Sequence, residues 1–427
     1  MKNIGIFLTL LFALTMLQGC KGSSSSATTT NQSTVRLVNV TTSYPSLDMI
    51  SSSTTLASAV ATGSASSYST VNSGTSTFTL ERGGSGTPSV QTNISLTSGV
   101  DYTLVAYTSN QQLQVTAFTD NEAAPTSGDG KMRVSILAPD VGSVDVYVTA
   151  DGGTLSDSSA MVTNLAGTTA YFEIAKGTYH IWVTGAGNKT DLRLDLPSIV
   201  ISDQQIQTLI LTSTTGGVLV DGWLVTQKGA VTAKRNVSAR VRVAANIAAN
   251  GSITASANGV SLGSTLRSPV VGSYTLVPAG TLSLNVSVNG NTVNVGNLDL
   301  NATAGADLTL LAVGGSASPQ FLLLSDDNRA PLSGKAKLRL VNGVNGLDDN
   351  VSLTADYDLV ALNVIPGAAS TAGSVNSGTI SRLEVDSSQA NTSLYLATDV
   401  SVQSQGVYSL FMLGDNPAPV GILRRDR

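Results

Sequence analysis

The sequence predicts an all-β protein of four tandem antiparallel β-sandwich domains, preceded by a short apolar segment and a flexible tether. Three observations carry this. Apolar residues alternate with period two in short runs closed by Gly, Pro, Asn and Asp, the pattern of half-buried strands. No stretch repeats apolar residues at the 3.6 spacing of an amphipathic helix. An Arg-bearing strand returns four times, and such repetition decides the architecture before any local reading does.

The four copies are Val35-Arg36-Leu37-Val38-Asn39, Met132-Arg133-Val134-Ser135, Val241-Arg242-Val243-Ala244 and Leu338-Arg339-Leu340-Val341-Asn342. Their arginines lie 97, 109 and 97 residues apart. Gly-Thr pairs beginning at Gly74, Gly177, Gly280 and Gly378 follow the arginines by 38, 44, 38 and 39 residues. A late strand opens with Gly99-Val100-Asp101, Gly305-Ala306-Asp307 and Gly406-Val407-Tyr408; unit two has Asp203 instead of the glycine. The seams match too, with Asp120-Asn121-Glu122 before Pro125 and Asp326-Asp327-Asn328 before Pro331. The repeats therefore span residues 35–130, 131–236, 237–333 and 334–427, each long enough for its own core. Proline lacks an amide donor and interrupts a strand ladder, so each unit is expected to fold alone.

Ahead of the repeats, Met1-Lys2-Asn3 carries one positive charge and Ile4 to Met16 is almost wholly apolar. Leu17-Gln18-Gly19-Cys20 follows. A basic start, an apolar core and small residues at a cut site describe a secretory signal and not a transmembrane helix. These residues resemble the lipobox of bacterial lipoproteins, which implies a signal peptide over 1–19 and lipidation of Cys20. Cys20 is the single cysteine, so the mature chain has no internal disulfide. Residues 20–34 form a lipidated end and a Ser/Thr-rich tether with nothing to bury. Lys21 after the cysteine favours, by the same resemblance, the outer membrane, with the domains periplasmic or surface-exposed.

Unit two is the clearest. Ala138-Pro139-Asp140-Val141-Gly142 reads as a turn, and Val144, Val146 and Val148 share one strand face. Tyr179, Ile181 and Val183 share a face, with His180 and Trp182 on the other. In unit three, Asn289-Gly290 between alternating apolar residues is a hairpin signal. The immunoglobulin-like order of an Arg-bearing strand, a Pro-Asp turn, Val-Asp-Val-Tyr-Val, Val-Pro-Ala-Gly-Thr and Gly-Ala-Asp-Leu-Thr-Leu resembles the bacterial "domain of unknown function 4397" family. Units two and three carry the likeness best. It implies an exported, often lipid-anchored small β-sandwich, and no activity.

Candidate chemistry is sparse. Net charge is −5 with 12% charged residues, which excludes the clustered cations of a nucleic-acid partner. The basic end, Arg424-Arg425-Asp426-Arg427, reads as a solvated tail. Arg36 with Asp48, and Arg133 with Asp145, each 12 residues apart, suggest cross-strand ion pairs. Gly259-Val260-Ser261-Leu262-Gly263 has the spacing of a nucleophile elbow but lacks the following helix and a nearby base. One histidine, His180, serves four similar domains, so no cofactor and no zinc site is expected. Asp120, Glu122, Asp326 and Asp327 are weak calcium candidates, since calcium takes several oxygens on a flexible loop. Tyr147, His180, Trp182 and Trp223 form the candidate ligand surface. The expected function is a non-enzymatic envelope lipoprotein that binds or spaces, with an envelope or extracellular polymer or protein as partner. The alternative is a carbohydrate-binding or adhesive module, assisted by calcium.

Overall fold

The computed structural model describes residues 31–296, 301–387 and 393–427. The signal segment and Cys20 lie outside the described residues. Each unit is built on two main sheets, and unit three adds a two-stranded sheet of Gly280–Thr281 with Asn301–Ala302. In unit one the opening strand Gln32–Asn39 lies inside its sheet, flanked by Ser64–Ala65 and Ser69–Asn72 on one edge and by Asp101–Ser109 on the other. The second sheet runs Thr54–Ala61, Ser46–Ser51, Gly74–Arg82, Pro88–Leu96. The same order recurs in the other units. Among the described residues, no helix is long and apolar enough to cross a membrane.

The antiparallel sandwich expected from the alternation is present, with one addition. In all four units the opening strand pairs parallel with the late strand: Arg36 faces Thr103, Arg133 faces Thr208, Arg242 faces Thr309 and Arg339 faces Ser409. A parallel pair needs a crossover. Here the crossover is the whole second sheet, which explains why the two marker strands sit at opposite ends of each repeat.

The opening strand and its successor belong to different sheets, so the expected Arg36–Asp48 and Arg133–Asp145 pairs do not form. Asp48 accepts from the amides of Ala59 and Gly84, and Asp145 from those of Asn164 and Gly187. Ala59 and Asn164 have φ near +50°. Those carboxylates therefore hold bulged edge strands in a backbone conformation that L-residues otherwise avoid.

Every unit has its own core, such as Leu37, Met49, Phe78 and Leu104 in unit one and Leu338, Leu353, Leu383 and Leu410 in unit four. Two further apolar clusters lie between units. Val38, Val40 and Val105 of unit one pack on Leu137, Ile210 and Trp223 of unit two. Ala244, Val271 and Leu311 of unit three pack on Val341, Phe411 and Leu413 of unit four. The outward faces of the Arg-bearing sheets are thus buried in pairs, one with two and three with four. A unit cut out at its seams would expose such a face, which qualifies the expectation of independent folding.

The pairs also touch. The unit-two loop around Gly216 lies on the third seam: the Gly216 amide donates to the Gly305 carbonyl at 2.8 Å, and the Asn328 amide donates to the Gly216 carbonyl at 2.9 Å. Gly217, at φ +87°, lies so close to Arg329 that a Cβ would meet its atoms at 2.3 Å. Only glycine meets both demands.

Candidate functional site

The strongest polar constellation is the set of opening arginines, which face outward from their sheets into the joints between units. In unit three, Arg242 Nε donates to Thr309 Oγ1 at 2.9 Å, and the Thr309 hydroxyl donates to Asp326 at 2.5 Å. The Arg242 guanidinium then crosses into unit four to pair with Asp426. Unit four answers in kind. Arg339 Nε donates to Ser409 Oγ at 2.7 Å, Ser409 donates to Asp426 at 2.5 Å, and Arg339 Nη2 crosses back to Asp326 at 2.6 Å. Both carboxylates have 0% exposed side chains. Tyr274 donates to Asp326 at 2.5 Å, and the Arg242 guanidinium lies 4.4 Å from the Tyr274 ring and 5.0 Å from that of Phe411. Burial, and then the Asp326 charge, push the Tyr274 phenol well above its ordinary value.

Unit one repeats the inner half of this arrangement. Arg36 Nε donates to Thr103 at 2.7 Å, and both Thr103 and Tyr68 donate to Asp120. The Arg36 guanidinium reaches across to the carbonyls of Gly229 at 2.6 Å and Thr226 at 3.0 Å. Tyr68, Tyr171 and Tyr274 each stand just before the strand that flanks the opening strand. The tyrosines were missed in the sequence because only their position before that strand repeats.

The seam acids are engaged by hydroxyls, arginines and lysines of the chain itself. Asp120 and Asp326 are spent on hydroxyls and guanidinium groups, while Glu122 and Asp327 take Lys131 at 2.7 Å and Arg329 at 2.7 Å. Among the described residues, no three ligating side chains gather for a metal. The calcium candidates Asp120, Glu122, Asp326 and Asp327 thus each have a partner on the chain, and Asp and Arg in step across repeats signal ion pairing.

The basic end is no solvated tail. Asp426 is the buried counterion of Arg242. Arg424 donates to the Val271 carbonyl at 2.7 Å, and Arg427 donates to the carbonyls of Asp140 and Gly217 in unit two. Burial, with Arg193 nearby, lowers the Arg427 pKa to about 10.

Three of the four proposed ligand-surface residues come together and one does not. Tyr147 and Trp182 face each other across adjacent strands, and His180 stacks on Trp182 at 3.9 Å and pairs with Asp195. Tyr147 and Trp182 are only 4% and 5% exposed. Lys189 lies 5.4 Å from the Tyr147 ring and donates to the carbonyls of Ser156 and Ser158. Trp223 is buried in the joint with unit one, its indole donating to Thr212 at 2.9 Å. Ser261 lies in a short strand and donates to the Gly263 carbonyl. His180 belongs to another unit, so no nucleophile–base pair forms there.

Among curated proteins none matches the chain. Several solved structures resemble it weakly. The Bacillus anthracis TIE protein is 9% identical, with 66% of this chain and 50% of that one covered and a TM-score of 0.14. The fimbrial anchor protein Mfa2 from Porphyromonas gingivalis is 10% identical, with 70% and 97% covered and a TM-score of 0.14. The chain spans half the length of the first, and neither likeness carries an argument. A sequence family does match, over residues 33–147 and 239–349. Each match starts on the opening strand of a pair, in unit one and in unit three, and runs past the seam into the next unit. The chain belongs to the family described as "Domain of unknown function (DUF4397)".

Proposed function

We propose that this protein is a non-catalytic, lipid-anchored module of the cell envelope, in which four β-sandwiches are joined into one stiff body that binds or spaces at the outer membrane. The observation that supports it most is the exchange of Arg242 and Arg339 for each other's aspartates across the joint of units three and four. A residue repeated for catalysis would face solvent or a substrate. These arginines face the neighbouring unit, where removing one partner leaves a buried charge unpaired. The repeated chemistry is thus invested in stiffness. The lipobox-like Leu17-Gln18-Gly19-Cys20 supports the anchor.

The test is fractionation of cells making the full chain, followed by limited trypsin digestion of the released protein. The chain is expected in the outer-membrane fraction, and Cys20→Ser is expected to release it. Trypsin is expected to spare the seams at Lys131, Arg329 and Lys335. A Cys20→Ser chain that stays membrane-bound would refute the anchor. Rapid cleavage into single units would refute the stiff body. Hydrolytic turnover abolished by replacing one carboxylate or Ser261, with the fold kept, would refute the absence of catalysis.

A further inference from the structure

Units two, three and four meet around a cleft of about 390 Å³, lined by Asp191 from unit two, Arg240, Arg242 and Tyr274 from unit three, and Arg424 and Arg425 from unit four. Four arginines line one small space in a chain whose net charge is −5. Their counterions are unevenly supplied. Arg240 is held by both oxygens of Asp307, at 2.7 and 2.6 Å. Arg242 is held by Asp426. Arg424 donates only to the neutral Val271 carbonyl, whereas Arg425 donates to the Gln403 side chain and to a main-chain carboxylate oxygen of Arg427. Among the described residues, Arg424 forms no ion pair with a carboxylate. Asp191, the one acid in the lining, is already taken by Arg193 at 2.7 Å.

A second observation concerns Arg242, which lines the same cleft. Arg242 is 2% exposed, yet its Nη2 has no hydrogen-bond partner. The Asp326 oxygen nearest to it is 3.7 Å away and already accepts from Tyr274 and Thr309. A buried donor left unused is costly and rare, and a ligand oxygen would relieve it.

We propose that this cleft binds a phosphate group. The fork of donors on arginine matches phosphate oxygens, and such charge-assisted bonds are about twice as strong as neutral ones. A phosphate monoester carries roughly −1.5 to −2 near neutral pH, and its several oxygens can meet Arg424, which has no carboxylate partner, together with the neighbouring arginines of the cleft. A nucleic acid would call for a basic stripe along an open face, which the sequence lacks. The site goes beyond the scaffold reading and does not depend on the lipid anchor, because every lining residue belongs to units two to four.

The test is calorimetric titration of the full chain with three soluble probes: inorganic phosphate, glucose 1-phosphate, and glycerophosphoglycerol, the headgroup of phosphatidylglycerol. Saturable binding of at least one probe is expected, weakening as salt is raised. Arg424→Gln and Arg425→Gln, whose side chains lie at the exposed mouth, are each expected to weaken it tenfold or more. Arg82→Gln, which removes the same charge in unit one, is expected to leave it unchanged. Preference for the second probe marks a phosphosugar ligand, and preference for the third a lipid headgroup. No saturable binding of any probe overturns the proposal, and so does equal affinity in the wild type and both cleft variants.

Discussion

The joint of units one and two and the joint of units three and four are built on one plan with one acid changed. In the second joint two arginines and two aspartates exchange across the interface, each guanidinium finding a carboxylate. In the first, Gln227 stands where Asp426 stands, each directly after a register partner of the late strand. Gln227 spends its amide on the Glu122 backbone, at 3.1 and 2.9 Å. Arg36 makes do with two carbonyls. Arg133 lies between the rings of Phe118 and Tyr171, at 4.4 and 4.5 Å, and its pKa is lowered by burial. The difference shows that apolar packing forms the joint and that the ions adapt to it. A buried guanidinium can be satisfied by a carboxylate, by carbonyls or by aromatic faces. Only the carboxylate version makes the partners hostage to each other.

The comparison can be broken most forcefully at Asp426. Asp426→Ala strands Arg242 and takes the acceptor from Ser409, and is expected to destabilise units three and four by about 3–5 kcal/mol. Calorimetry should show their transition moving down while that of units one and two stays in place. A uniform shift of both would mean that the pairs are not separate cooperative bodies. Arg133→Met strands no carboxylate, so the loss at the first joint is expected to be about 1 kcal/mol or less. An effect as large as that of Asp426→Ala would erase the distinction drawn here.

The smallest effect concerns pH. Asp327 is partly desolvated, which alone would raise its pKa, but its bonds to Arg329 and the charge of Lys337 bring it down to about 2. Its folded value is depressed, so its contribution is complete above the unfolded value of about 4 and fades as pH falls towards 2. Because the carboxylate is 41% exposed, that contribution is expected to stay below about 1 kcal/mol. The melting difference between wild type and Asp327→Asn should therefore shrink between pH 6 and pH 2. A constant difference would show that the charge is irrelevant.

The four units, their strands and the inward faces of Val144, Val146, Ile181 and Leu194 were legible because period two marks a face wherever one side is buried. What faced the other side was not. Arg36 meets Gly229 from 193 residues away and Arg242 meets Asp426 from 184, and alternation says nothing about such partners. One local signal was present. In Val35-Arg36-Leu37-Val38 and in Val407 to Leu413, apolar residues occupy both faces, as in strands covered on both sides. An arginine inside such a run is an arginine at a joint. The ligand-surface reading failed at Trp223 for the same reason: its face is covered by a different unit.

The parallel pair also sets the order in which the molecule can assemble as it is made. Arg36 waits 67 residues for Thr103, Arg133 waits 75 for Thr208, and Arg339 waits 70 for Ser409. Until then the first strand of each unit lacks one of its two neighbours, and non-local pairing of this kind is slow to form. A chain emerging from the ribosome thus carries each unit open for most of its synthesis. The last joint closes later still. Asp426 has to arrive before Arg242 finds its counterion, and Arg427 before unit two receives its clasp, 287 residues after Asp140 was laid down. Arg424, Asp426 and Arg427 thus tie unit four to units two and three, and a chain without them would keep the fourth sandwich but lose these bonds.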